Sequence, residues 1–222
     1  MPDSPSRRAP FRAGLAAALA GLLLCAAFSL GAYAADVESI GHVSRAQGLS
    51  FAVRGANLRA LERNSLVGRD DVLKTGPGSR LEIVLLDETR LALGADTVFG
   101  VERYGLGRRG GGVLFKLDKG SFRLVTGGME ATREVAFEVA TPLGVVGVLG
   151  ADFWAGLLLE GELDVLLVSG KGVSVVTDGG RTEITRPMEG LSLSSRAAPP
   201  PAPSMWSPDR RERALRTVAF GK

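Results

Sequence analysis

From Val37 onward, apolar side chains recur at every second position, and this rhythm constrains the fold more than any other feature of the chain. Successive strand residues point to opposite faces, so period two buries one face and leaves the other to water. Leu81, Ile83 and Leu85 share one side, and Leu91 and Leu93 resume it after the Asp87-Glu88 turn. Phe115 and Leu117 alternate with Lys116 and Asp118, while Phe122 and Leu124 flank Arg123. Val135, Phe137 and Val139 repeat the pattern, as do Val173 and Val175. Turn signals separate these runs: Gly76-Pro77-Gly78, Gly110-Gly111-Gly112, Gly127-Gly128, Gly170-Lys171-Gly172 and Asp178-Gly179-Gly180. Strands recurring about every 8–12 residues imply an all-β body. Short strands with glycine corners favour a β-solenoid-like stack, with a β-sandwich as the alternative and a flexible C-terminal tail. The one segment of the body that reads as a helical turn is Asn57–Glu62.

The ends differ from the body. Arg7, Arg8 and Arg12 precede an apolar run from Ala13 to about Ala35, which closes on Ala32-Tyr33-Ala34. A positive start, an apolar stretch and a small-x-small site define a secretory signal peptide, with cleavage expected after Ala34. An uncleaved membrane anchor is the alternative, since the run is long enough to span ~30 Å of hydrocarbon. Leu24 before Cys25 argues against a lipoprotein, and Ser6-Arg7-Arg8 hints only weakly at a twin-arginine signal. Three divisions follow: 1–34 signal peptide, 35–195 β domain, and 196–222 proline-rich linker with a short basic helix or tail. Within the last, Pro199-Pro200-Pro201-Ala202-Pro203 cannot donate into a sheet. Ser207-Pro208 is an N-cap followed by proline at the first helical position, so a helix from Pro208 to about Ala219 competes with a solvated tail. Trp206, Leu215, Val218 and Phe220 give such a helix an apolar docking surface.

Charge follows the same division. The formal charge is +3, but residues 1–34 contribute +2 and the segment from Ser192 contributes +4, which leaves the body at −3. A basic nucleic-acid face on the folded part is not indicated. The single cysteine, Cys25, lies in the leader, and the single histidine is His42, so a His/Cys zinc site is excluded from the mature chain.

Several motifs resemble chemistry without its context. Gly105, Gly107 and Gly110 make a G-x-G-x-x-G, but a strand pattern follows where a phosphate site needs a helix N-terminus. Gly144, Gly147 and Gly150 read as points of close backbone approach. Asp70 and Asp71 would point to opposite faces, which rules out a shared-proton dyad, and they are too few for a calcium cage. His42 reads as a surface histidine, and no G-x-S-x-G elbow accompanies it. Arg108-Arg109-Gly110-Gly111-Gly112 lacks interleaved aromatics and reads as a loop rather than an RNA contact. No catalytic, cofactor or metal residue is expected.

One family resemblance fits this inventory. Thr75-Gly76-Pro77-Gly78-Ser79-Arg80, then Asp87 between apolar strands, then Lys119-Gly120-Ser121-Phe122-Arg123 resemble the FecR domain in order and spacing. The clearest piece is Thr141-Pro142-Leu143-Gly144 through Gly147 and Gly150 to Phe153, closed by Val165 to Gly170. The resemblance runs from about Val43 to Gly190. Leu149 stands where the family usually has arginine and Ala151 where it usually has threonine. The structural positions it marks are Thr75, Gly76, Gly78, Ser79, Asp87, Gly120, Thr141, Pro142, Gly147, Gly150, Phe153 and Gly170. The resemblance implies a periplasmic, mostly β, non-catalytic module, with the solenoid form preferred. In iron-responsive regulators of the family, that module receives a signal from an outer-membrane transporter and a cytoplasmic anti-sigma domain relays it. The dozen residues before the apolar run here are too few for such a domain, which needs roughly 50.

The expected function is therefore an exported sensor or scaffold module that binds another envelope protein, touching the membrane only through an uncleaved leader. A glycan- or wall-binding module is the alternative. An envelope hydrolase would have to work through His42.

Overall fold

The computed structural model describes residues 38–105, 111–127 and 137–221. The leader, the cleavage position after Ala34, the anchor alternative and most of the G-x-G-x-x-G tract lie outside the described residues. Seventeen strands and one helix occur among them. The first six are β1 (Ser39–Gln47), β2 (Ser50–Arg54), β3 (Asn57–Ala60), β4 (Leu66–Gly68), β5 (Val72–Thr75) and β6 (Arg80–Leu85). Next come β7 (Arg90–Leu93), β8 (Val98–Gly105), β9 (Gly112–Val125), β10 (Phe137–Thr141), β11 (Gly144–Val148) and β12 (Ala151–Leu159). Then follow β13 (Glu162–Gly170), β14 (Val173–Thr177), β15 (Gly180–Ile184), β16 (Glu189–Leu193), β17 (Ser204–Met205) and α1 (Pro208–Arg216). Strand makes up 60% of the structure and helix 5%, so the fold is all-β.

Two runs of paired strands share β9. The first sheet is ordered β4-β1-β6-β7-β9-β12-β13-β16-β17. The second is ordered β3-β2-β5-β8-β9-β10-β11-β14-β15. Among these pairings only β9 with β10 is parallel. The chain passes back and forth between the two sheets, hairpin by hairpin, as a solenoid does, while pairing within each sheet, apart from β9 with β10, is antiparallel, as in a sandwich.

β9 can serve both sheets because it turns at Gly120, whose φ is +89°. Before that point β9 pairs with β8, and after it with β7 and β12. A Cβ at Gly120 would lie 2.5 Å from Thr97 Cα, so the corner demands glycine twice over, by torsion and by space.

Alternation supplies the core. In β6, Leu81, Ile83 and Leu85 are buried while Arg80, Glu82 and Val84 are half-exposed. The inner faces of the two sheets merge into one cluster that includes Leu73, Phe99, Phe115 and Val139 from the second sheet and Ile83, Leu93, Phe122 and Phe153 from the first. Phe99 and Phe122 meet across the sheets at 5.3 Å between ring centroids, and Phe122 meets Phe153 edge to face at 5.5 Å. Such pairs add about 0.5–1.5 kcal/mol beyond area burial.

Asn57–Glu62 is not helical. Asn57–Ala60 is β3, closing a hairpin on β2. Arg59 there reaches Asp71, and an ion pair to a buried carboxylate outweighs the weak helical preference of a six-residue segment. The proline-rich segment is extended but not free. Asp178 N donates to Arg196 O at 2.9 Å, Thr177 Oγ1 to Ala198 O at 2.7 Å, and Thr182 Oγ1 to Pro200 O at 3.0 Å. Prolines thus lie along β15, the last strand of the second sheet, where a residue without an N–H cannot recruit a further strand. Of the alternatives for the C-terminus, the helix forms: Ser207 Oγ accepts from Arg210 N, Pro208 opens the helix, and Arg213 and Arg216 occupy its last turn.

Candidate binding face on the first sheet

The residues of the first sheet that point away from the core include Ala92, Arg123, Asp152, Trp154, Asp164, Leu166, Val168 and Ser192, since their sequence neighbours fill the interior. An outward tryptophan and leucine should be exposed, yet Trp154 and Leu166 are 1% and 0% accessible. The C-terminal segment covers them. Trp154, Leu166, Trp206, Ala214 and Val218 form a second apolar cluster, separate from the main core, against which Ala92, Val168 and Leu215 pack. The two indoles meet edge to face at 6.3 Å.

Polar keys hold this strap in register. Arg210 donates to Asp164 Oδ1 at 2.8 Å and stacks on Trp206 with its guanidinium carbon 3.8 Å from the ring centroid. Ser192 Oγ also donates to Asp164. Thr217 Oγ1 accepts from Trp154 Nε1 at 2.9 Å and from Ser121 Oγ at 3.0 Å, and donates to Ala214 O at 2.7 Å. Beyond the helix, Phe220 lies under Arg45 at 4.2 Å and Gly221 N donates to Gln47 Oε1 at 3.1 Å. The segment therefore runs from β16 at one side of the sheet to β1 near the other.

Beside the helix lies a cleft of about 750 Å³. Ala92 and Val125 floor it, Leu215, Val218, Ala219 and Phe220 wall it, and Glu82, Arg90, Arg123, Glu212 and Arg216 provide its charges. Arg123 grips Asp152 with two bonds, Nε to Oδ1 at 2.8 Å and Nη2 to Oδ2 at 2.6 Å, which raises Arg123 above its ordinary pKa. Glu212 and Arg216 pair along the helix. The cleft thus combines apolar contact with fixed charges at its margin.

The motif positions sit elsewhere, in turns and in the core. Gly76, Gly78 and Ser79 build the β5–β6 turn, where Ser79 Oγ accepts from Leu49 N at 2.9 Å. Thr75 Oγ1 donates to Gly94 O and accepts from Thr97 N. Asp87 accepts from Thr89 Oγ1 at 2.7 Å and from Tyr104 Oη at 3.2 Å, and burial together with that carboxylate pushes the Tyr104 hydroxyl well above the usual tyrosine range. Thr141 Oγ1 ties the β10–β11 turn through Gly144, with Pro142 exposed at its tip. Gly147 lies against Ser174, Gly150 and Gly170 meet where β12 and β13 converge, and Phe153 is core. Leu149, which stands in place of the family's arginine, is exposed, and Ala151 is buried.

His42 is exposed on β1. Asp70 and Asp71 separate as expected: Asp70 is exposed, while Asp71 is fully buried between Arg54 and Arg59 and accepts from Gly68 N at 2.9 Å. Among the described residues no cluster of His, Cys, Asp or Glu could hold a metal ion, and no helix is long and apolar enough to cross a membrane. Sequence reasoning placed Trp206, Leu215, Val218 and Phe220 on a docking surface but did not place their receptor on this same chain. Trp154 was the available signal, being the bulkiest residue of a strand whose other side already carries Phe153.

Residues 71–172 match the family model described as FecR protein. Every motif position named above lies in that span, and the strap lies outside it. Two crystal structures of a candidate anti-sigma factor from Parabacteroides distasonis superpose with TM-scores of 0.52 and 0.53, each at 19% identity. Each superposition covers 65% of this chain, and 64% and 63% of those chains, so this chain spans less than two thirds of their length. At that identity the likeness is one of fold. No curated protein matches the chain.

Proposed function

The chain carries a FecR domain, and from that premise we propose that it is an exported, non-enzymatic, protein-binding sensor or scaffold module of envelope signalling, working in the periplasm. The match over residues 71–172 carries this reading. The fold shared with a candidate anti-sigma factor agrees with a regulatory role. The local geometry supports binding over chemistry: the buried Asp71, Asp87 and Thr75 are engaged in turns and ion pairs, while the first sheet offers an apolar strip edged by charge. Carbohydrate recognition has less support, because both tryptophans are buried and a sugar needs an exposed aromatic platform.

The test is two-part. N-terminal sequencing of the chain recovered from the periplasm should begin at Ala35. Crosslinking of the tagged chain in intact cells should then recover one envelope protein in stoichiometric yield, lost on competition with untagged chain. A cytosolic product, or crosslinks to murein alone, would refute the proposal.

A further inference from the structure

We propose that the segment 204–221 is a displaceable occupant of the first sheet, and that the strip beneath it, built on Trp154, Leu166 and Ala92, is a docking face for an amphipathic helix of a partner protein. The proposal rests on the protein-binding reading above and gives it a location.

The present occupant defines the chemistry of its replacement. α1 and the turn after it set Ala214 and Val218 on the strip, one helical turn apart, with the Thr217 hydroxyl between them meeting Trp154 and Ser121. Arg210, one turn earlier, meets Asp164. A competing helix therefore needs small or branched aliphatic residues four apart, a hydroxyl between them and a cation one turn before.

Four observations mark the occupant as separable. Its apolar cluster is distinct from the main core, which closes without it. Its strand pairing is confined to the two residues of β17, and the remaining anchors are mainly side-chain bonds that water can replace. The cleft along its flank is lined by Leu215, Ala219 and Phe220, which stay half-buried or exposed, so this side of the occupant is only loosely packed. The Trp206 indole N–H is buried with no acceptor among the described residues, a penalty paid only in the closed state. Elements that open for function come from this weakly held class.

The experiment uses the full chain with Cys25→Ser and the pair Ser121→Cys/Thr217→Cys. Those two hydroxyls are 3.0 Å apart, so thiols in their place can be oxidised into a lock. The probe is a fluorescein-labelled peptide of residues 204–221, followed by anisotropy. The reduced chain should bind it at least tenfold more tightly than the oxidised chain. Arg210→Glu, without the cysteines, should tighten peptide binding several-fold over wild type, because it raises the open fraction. Equal binding to both redox forms, no binding to the reduced form, or no gain with Arg210→Glu would overturn the proposal. The assay needs no envelope partner. Peptide exchange alongside a failed crosslink would sink the signalling reading and leave the strap standing; the reverse result would sink the strap alone.

Discussion

Replacing Gly120 by alanine puts a methyl group into occupied space. The added Cβ would lie 2.5 Å from Thr97 Cα and 2.3 Å from Thr97 Oγ1. The same hydroxyl accepts from Ser121 N at 3.1 Å and lies 3.2 Å from Ser121 O, so the clash falls on the link that holds β9 at its corner. Two costs combine. A non-glycine residue at φ +89° costs about 1–2 kcal/mol. Moving backbone to admit the methyl costs about 1–3 kcal/mol more. Gly161 separates the two, because its φ is +73° but nothing lies within 4 Å of its Cβ position. Gly161→Ala should therefore lose only the torsional part, about 1–2 kcal/mol. Gly120→Ala should lose roughly 2–5 kcal/mol, lowering the urea midpoint by about 0.7–1.7 M for a slope of ~3 kcal/mol per M. Urea melts followed by far-UV circular dichroism measure both. Equal losses in the two variants would show that the corner is not crowded and that β9 does not bridge the sheets in this way.

Three further outcomes can be measured on the same chain. Phe122→Ala removes the ring that joins Phe99 to Phe153 and should cost about 3–5 kcal/mol in chemical denaturation, against less than ~1.5 for Phe122→Met, provided the volume is refilled. Tyr104 has a raised folded-state pKa, so its contribution is fully present below the unfolded value near pH 10 and is lost as pH rises toward the folded one. In the chain cut after Ala34 it is the only tyrosine; ultraviolet difference spectra should show no tyrosinate until the β signal collapses, and tyrosinate with a midpoint near pH 10 in folded protein would contradict the buried Asp87 contact. Arg123→Ala breaks a partly exposed ion pair and should cost only about 1 kcal/mol by thermal melting, so a loss above ~3 kcal/mol would mean the pair organises more of the face than its contacts indicate.

The sequence displayed the strands and hid their partners. Alternation in Leu81–Leu85 or Phe115–Leu117 states which side chain goes inward, because burial follows from period two alone. It does not say that β6 lies beside β1 and β7, or that β9 would be divided between sheets, since register is settled by pairings dozens of residues apart. Asn57–Glu62 was misread for the same reason: the carboxylate that holds Arg59 is twelve residues on, at Asp71. The binding face was half legible. Trp206, Val218 and Phe220 were visibly amphipathic, and their receptor was not, because Trp154 in an apolar run looks the same whether it faces the core or a covering helix.

Among the described residues a strap sits on one outer face of the body and not on the other, and the two faces show why. On the second sheet, register aligns Val53, Val72, Gly100, Lys116, Ala140 and Val145 across six strands. Small residues and one lysine make that row tolerable to water, with Glu138 and Glu183 close by. On the first sheet the equivalent residues are Ala92, Arg123, Trp154 and Leu166, and the last two present more apolar area than a lone sheet face can leave wet. A cover is therefore a requirement of the sequence. Because it is supplied by a short helix held through Arg210 and Thr217, removing it exposes the molecule's two tryptophans together, and the free energy of uncovering that face is set by this second apolar cluster and a handful of bonds rather than by the main core.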